Sequence, residues 1–252
     1  MALNAALLLR RSAALLRRPA ELRHAQNIRE FYTASTSRAG TGSRRFRQHV
    51  NPLAQQYREP VQLPDWQQVL AAPELPLHLD IGCARGKYLM DVARADARRN
   101  YVGVEIRQNV IAEAIAEAAR RELPNLAFVH ANINFHHQVL LPSLPGAVES
   151  VSIFHPDPWM KKRHLKRRLV TPEFVTDLAE LLAPGTPIFV QTDLEELFAY
   201  MVGVFEHSQR YGFDALPENP FGIPTDRERF VLEEGGDIFR VKFIVGGEAA
   251  VV

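Results

Sequence analysis

The stretch Leu75-Pro-Leu-His-Leu-Asp-Ile-Gly-Cys-Ala-Arg-Gly86 decides the fold. Its first part, residues 75–81, reads as an apolar strand. Gly82 and Gly86 then permit a tight turn and close approach of a ligand to the backbone. A helix opening after Gly86 leaves free N–H groups at its first turn. The loop is not a dinucleotide fingerprint, because the next glycine after Gly82 is Gly86 and G-x-G-x-x-G is not met. It also lacks the G-x-x-x-x-G-K-[ST] frame of a phosphate-cradling loop. A D-x-G-x-x-x-G loop suits a ligand with one nucleoside and a short charged tail. An ordinary strand-to-helix turn would read the same way.

Outward from this loop, strand and helix signals alternate. Helical patterns cover residues 87–97, 108–123 and 194–206, and a shorter one covers 65–72. Thr171 is an N-cap with Pro172 at the first helical position, opening a helix to Leu182. Strand patterns cover 100–106, LAFVHAN (126–132), 148–154 and 186–192. Two more, Arg229–Glu233 and Ile238–Val245, are expected to form a terminal hairpin turned by Gly235-Gly236. Such alternation implies a mostly parallel α/β sheet covered on both faces. Ligands of such sheets bind at the carboxyl ends of the strands.

Those ends carry the candidate chemistry. The first ends in Asp80. The second ends in Glu105, whose carboxylate can accept both hydroxyls of a ribose. The third ends in Asn132, an amide suited to an adenine edge and equally a common turn residue. The fourth runs into His155-Pro-Asp-Pro-Trp-Met-Lys-Lys-Arg-His-Leu-Lys-Arg-Arg168. The prolines are expected to hold His155 and Asp157 extended on a stiff loop. Six of the eight residues 161–168 are basic, an electrostatic footprint for phosphates. The fifth strand ends in Thr192-Asp193. Later, Pro224-Thr225-Asp226-Arg227-Glu228 offers further hydroxyl and acid groups.

Charge divides the chain. Residues 1–50 hold ten Arg, no Lys and two acids, for +8. The other 202 residues hold 20 basic and 27 acidic side chains, for −7, so the basic run stands out against an acidic body. The Arg-rich, acid-poor, amphipathic start followed by a Ser/Thr stretch reads as an organelle transit peptide over 1–48. The competing reading is a basic arm that helps bind nucleic acid. Residues 49–74 are expected to form a connector with one helix, and 75–246 a single α/β domain. The longest apolar run in the leader is five residues, far below a membrane span of about 18. One cysteine, Cys83, excludes an intrachain disulfide framework. Nine His without H-x-x-x-H spacing give no metal site, and neighbouring His136 and His137 point apart.

LDIGCARG, GVEI, HAN, PDPWMKKRHLKRRLV, TD and PTDRE together resemble the bacterial-type, single-subunit tRNA (guanine-N7)-methyltransferases over about residues 75–245. The resemblance implies a class I S-adenosylmethionine-dependent methyltransferase. Its expected form is a Rossmann-like, mostly parallel seven-stranded sheet with a C-terminal antiparallel hairpin. Its expected reaction is methyl transfer to N7 of guanine 46 in the variable loop of tRNA. By resemblance, Asp80, Glu105, Asn132 and Asp157 contact the cofactor, with Gly82 and Gly86 shaping its loop, and Asp157 is also catalytic. Lys161, Asp193 and the stretch Thr225–Glu228 contact tRNA or guanine, joined by Lys162 and Arg163 of the basic run. Two positions depart from the family pattern. Ala84 replaces the middle glycine, and alanine is expected to bar φ > 0. Asp226 replaces a basic residue. The Cys-Ala-Arg form looks like cyanobacterial and plastid members, which favours a chloroplast address over a mitochondrial one. No obligate protein partner is implied, so a monomer or homodimer is expected. Two alternatives stay open: a class I methyltransferase with a protein or small-molecule acceptor, and a non-catalytic RNA-binding relative.

Overall fold

A computed structural model describes residues 50–247. The leader and its transit-peptide reading lie outside the described residues.

Seven strands form one sheet in the order β3-β2-β1-β4-β5-β7-β6. They are β1 (Leu77–Ile81), β2 (Asn100–Glu105), β3 (Leu126–His130), β4 (Val148–Phe154), β5 (Pro187–Thr192), β6 (Tyr211–Ala215) and β7 (Phe239–Val245). The first five run parallel, and β7 lies antiparallel between β5 and β6. The helices are α1 (Trp66–Val69), α2 (Lys87–Ala95), α3 (Gln108–Arg121), α4 (Ile133–Ser143), α5 (Pro172–Leu181), α6 (Glu195–Ser208) and α7 (Asp226–Glu233).

Every residue of β1 and β2 is buried, as both faces of a covered parallel sheet require. One apolar cluster centres on α5, α6 and strands β4, β5 and β7, where Phe205 stacks on Phe243 at 4.0 Å. A second joins α2 and α3 to Phe128 of β3. Thr171 caps α5 through the Phe174 N–H with Pro172 at its start, as the sequence implies.

The terminal hairpin needs correction. Residues 229–233 are not a strand; they belong to α7. Thr225 accepts from the Glu228 N–H while the Glu228 carboxylate accepts from the Thr225 N–H, a capping box that starts a helix. The antiparallel neighbours of β7 are instead β5 and β6. The segment read as strand through Asn132 ends at His130, and Asn132 instead caps the unforeseen helix α4.

Candidate active site

The carboxyl ends of β1, β2, β4 and β5 open into one cleft of about 600 Å³. That is ample for a nucleoside with a short tail. Asp80, Gly82, Gly86, Glu105, Asn132, Asp157, Asp193 and Thr225 all line it. The structure therefore brings together most of what the sequence nominates.

The loop after β1 is built by its backbone. Gly82 has φ +85° and open space where a side chain would stand. Gly86 has φ +64°, and a Cβ there would lie 2.3 Å from the Phe128 ring. Ala84 does not bar a positive φ: it adopts φ +49°. Its N–H donates to Glu105 Oε2 at 3.1 Å, which holds the strained residue in place.

Asp80 ends a buried polar chain. Ser152 Oγ donates to Asp80 Oδ1 at 2.6 Å. That hydroxyl has one proton, so it accepts from His78 Nε2, 3.0 Å away. His78 Nδ1 then accepts from the Ser150 hydroxyl at 2.8 Å. Burial drives the His78 pKa down to about 3, which keeps the ring neutral. Burial pushes the Asp80 carboxyl up to about 7; the Ser152 hydrogen bond opposes this and the nearby Glu105 charge adds to it.

Glu105 is fully engaged. It accepts from Ala84 N, from Arg107 N at 2.8 Å, and from the Arg107 side chain at 3.0 and 2.9 Å. The Glu105 hydrogen bonds hold Arg107 protonated against the effect of burial, helped by the charges of Glu105 and Asp157. Asn132 carries structural work: Oδ1 accepts from Asn134 N, and Nδ2 donates to Pro52 O at 2.8 Å. That bond ties the connector onto the cleft rim, where Val50 and Pro52 line the wall.

The loop after β4 differs from expectation at one residue. His155 is not extended but left-handed, with φ +48°. Its backbone N–H donates to Gln191 O at 2.7 Å, and its ring is drawn to Asp193. Past Asp157, the basic run splits. Lys161, Lys162, Arg163 and Lys166 are exposed, partly on a 3₁₀ turn spanning Lys162–Arg167. Arg167 lies 5.0 Å from the Trp159 ring and lines the cleft. Arg168 is buried: Nε donates to Pro158 O at 2.9 Å, and the guanidinium lies over Tyr200. It clamps the loop and does not face phosphates.

Asp193 accepts from His155 Nδ1 at 3.1 Å and from Arg227. Burial pushes its carboxyl up, but the Arg227 and His155 hydrogen bonds outweigh this and hold it below the ordinary range. Glu228 is placed differently from Thr225. It is buried under the cleft wall, where it binds Arg240, Asn219 and Gln191 and supports the site from beneath. Arg107 and His155 were not singled out as site residues by sequence. A basic residue two positions after a strand-end acid, and a histidine opening a Pro-Asp-Pro loop, were the available signals.

Among the described residues there is no cluster of three or more His, Cys, Asp or Glu fit for a metal, and no helix long and apolar enough to cross a membrane.

A family model described as "Putative methyltransferase" matches residues 74–241. The tRNA (guanine-N(7)-)-methyltransferase of Synechococcus elongatus is 48% identical over 204 residues, covering 79% of this chain and 96% of the relative. The Microcystis aeruginosa protein of the same name is 44% identical, covering 80% and 98%. Among solved structures, the 16S rRNA methyltransferase KamB shares the fold, with a TM-score of 0.51 at 17% identity over 74% of this chain and 95% of that one. The chain belongs to the tRNA (guanine-N(7)-)-methyltransferase family.

Proposed function

We propose that this enzyme transfers a methyl group from S-adenosylmethionine to N7 of guanine 46 in the variable loop of tRNA. The observation that carries this reading is the strand end of β4. It sets Asp157 in the cleft wall and, four residues on, begins the exposed basic run.

The donor set fits the cofactor. Asp80, Glu105, Asp157 and Asp193 offer carboxylates to the ribose, the sulfonium and the ammonium of the cofactor's amino-acid tail, while Arg85, Lys87, Arg107, Arg167 and Arg227 of the same lining keep the cleft from being acidic as a whole. Glu105 would take the ribose hydroxyls, and Asp80 with the Gly82–Gly86 loop would face the charged tail. When bound, the cofactor supplies an electrophilic methyl group for in-line displacement.

Guanine N7 has a lone pair and no proton, so attack needs no general base. The residues then act by positioning and electrostatics. Asp157 and Asp193 accept from N1–H and the 2-amino group. Each Asp193 oxygen has one side-chain donor, His155 on Oδ1 and Arg227 on Oδ2, and a carboxylate oxygen can accept more than one. Carboxylates beside the purine also oppose the positive charge that develops on it. The target base leaves its stack to enter the cleft. Lys161, Lys162, Arg163 and Lys166 hold phosphates without reading sequence.

The test is methyl transfer to an unmodified tRNA transcript, with a guanine-46-to-adenine transcript as the control. Label in the first and none in the second supports the reading; equal labelling of both contradicts it.

The leader is proposed to address the enzyme to the chloroplast. Its Arg-rich, acid-poor composition and the cyanobacterial relatives support this. A fluorescent fusion of residues 1–60 found in mitochondria would overturn it.

A further inference from the structure

His155 breaks a local rule. A non-glycine residue before proline is driven toward extended backbone, yet φ is +48° here. Three hydrogen bonds hold it there. Its N–H donates to Gln191 O at 2.7 Å, and its two ring nitrogens meet Asp193 Oδ1 at 3.1 Å and Gln191 Nε2 at 2.9 Å.

The proton inventory around the ring has one solution. Arg240 Nε donates to one end of the Gln191 amide at 2.9 Å. A guanidinium only donates, so that end is the oxygen. The other end is the NH₂ group, which lies 3.1 Å from Glu228 Oε2, an acceptor, and so agrees. Gln191 therefore donates its second proton to His155 Nε2. That nitrogen is bare, and Nδ1 carries the ring proton and donates it to Asp193. A proton arriving at Nε2 would have to expel the Gln191 amide, and turning that amide would break its bond with Arg240.

We propose that His155 is a positioning residue, a neutral imidazole whose tautomer is dictated by Arg240 through Gln191 and which aims Asp193 at the Watson–Crick edge of the target guanine. This rests on the reading above that guanine is the acceptor. The groups facing the ring are Asp193 and Gln191 from the end of β5, and Arg227 and Glu228 from α7; Arg240 of β7 acts through Gln191. Burial lowers the His155 pKa, and the Asp193 hydrogen bond only partly opposes this. The ring has no proton to collect, because attack by N7 releases none at that atom.

The experiment compares two variants that both accept left-handed backbone. His155→Gly removes the ring, and His155→Asn restores an N–H donor near Nδ1. Wild type is assayed first on transcripts carrying guanine or inosine at the target; inosine lacks the 2-amino group. Failure of wild type to methylate the guanine transcript overturns the functional reading itself. Given wild-type activity, His155→Gly is expected to raise KM for tRNA about tenfold and to leave cofactor affinity unchanged. It should shrink the inosine penalty to under twofold. It should also move the acid limb of kcat/KM to higher pH, because Asp193 has lost a donor. His155→Asn should recover most of each change. A folded His155→Gly enzyme with the wild-type KM, inosine penalty and pH profile overturns the inference. If His155→Gly does not fold, a folded His155→Asn with the full inosine penalty supports it, and one that has lost the penalty overturns it.

Discussion

Arg107 lies across the carboxylate of Glu105, its side chain donating to both oxygens while its own backbone N–H donates to one of them. These are the atoms assigned to the ribose hydroxyls, so side chain and ribose compete. Arg107→Met is expected to tighten S-adenosylmethionine binding several-fold, on the order of 1 kcal/mol for a partly exposed charged pair. Calorimetric titration checks this; weaker binding would mean that Arg107 itself grips the cofactor. Glu105→Gln should weaken binding at least tenfold.

Asp80 makes stability depend on pH in a direction opposite to that of most salt-bridged carboxylates. Its pKa is 3.8 when unperturbed and about 7 in the fold. The folded state thus binds the proton more tightly. Stability from this group is fully present below about pH 4 and is lost as pH rises toward 7. Asp80→Asn should therefore melt higher than wild type at pH 8, by roughly 1–3 kcal/mol of stability, and bind cofactor more weakly. Thermal melts across pH 5–8 check both the sign and the slope. A variant less stable than wild type at pH 8 would contradict the assignment.

The split of the basic run separates affinity from architecture. Replacing Lys161, Lys162 and Arg163 by Gln should weaken tRNA binding and flatten its salt dependence by roughly 2–3 in slope, with melting unchanged. Replacing buried Arg168 by Met should instead lower stability by about 1–3 kcal/mol, because the Pro158 carbonyl loses its donor. Binding isotherms at several salt concentrations, paired with melts, distinguish the two.

Ala84 carries backbone strain that glycine would relieve. Ala84→Gly is expected to be stabilising by about 0.5–1 kcal/mol. Gly86→Ala should be destabilising by more than about 2 kcal/mol, since the new methyl would meet the Phe128 ring. Denaturant midpoints measure both.

The sheet was legible because buried parallel strands and capped helices announce themselves locally. LHLDI and Thr171-Pro172 needed nothing beyond their neighbours. The C-terminal region was misread because RFVLE looks apolar enough for a strand. The Thr225–Glu228 capping box decided the matter and lay in plain sight. The candidate residues that line the cleft were equally easy to nominate, since Asp80, Glu105 and Asp157 lie at or just past the ends of apolar runs. The polar chains beneath them were not. Ser150 and Ser152 meet His78, and Ser152 meets Asp80, only because β1 and β4 are neighbours, and Gln191 meets Arg240 only through the antiparallel pairing of β5 with β7. Asn132 could serve a cofactor edge or a helix cap. Its hydrogen bonds in the fold belong to the cap and the connector.

The central claim is tested most directly by mapping the methyl group. An unmodified tRNA transcript is incubated with the enzyme and S-adenosylmethionine, then cleaved chemically at 7-methylguanine. A single cleavage at guanine 46, abolished by Asp157→Ala in a folded enzyme that still binds tRNA, is the expected result. Label without cleavage, cleavage elsewhere, or wild-type cleavage by Asp157→Ala would contradict it.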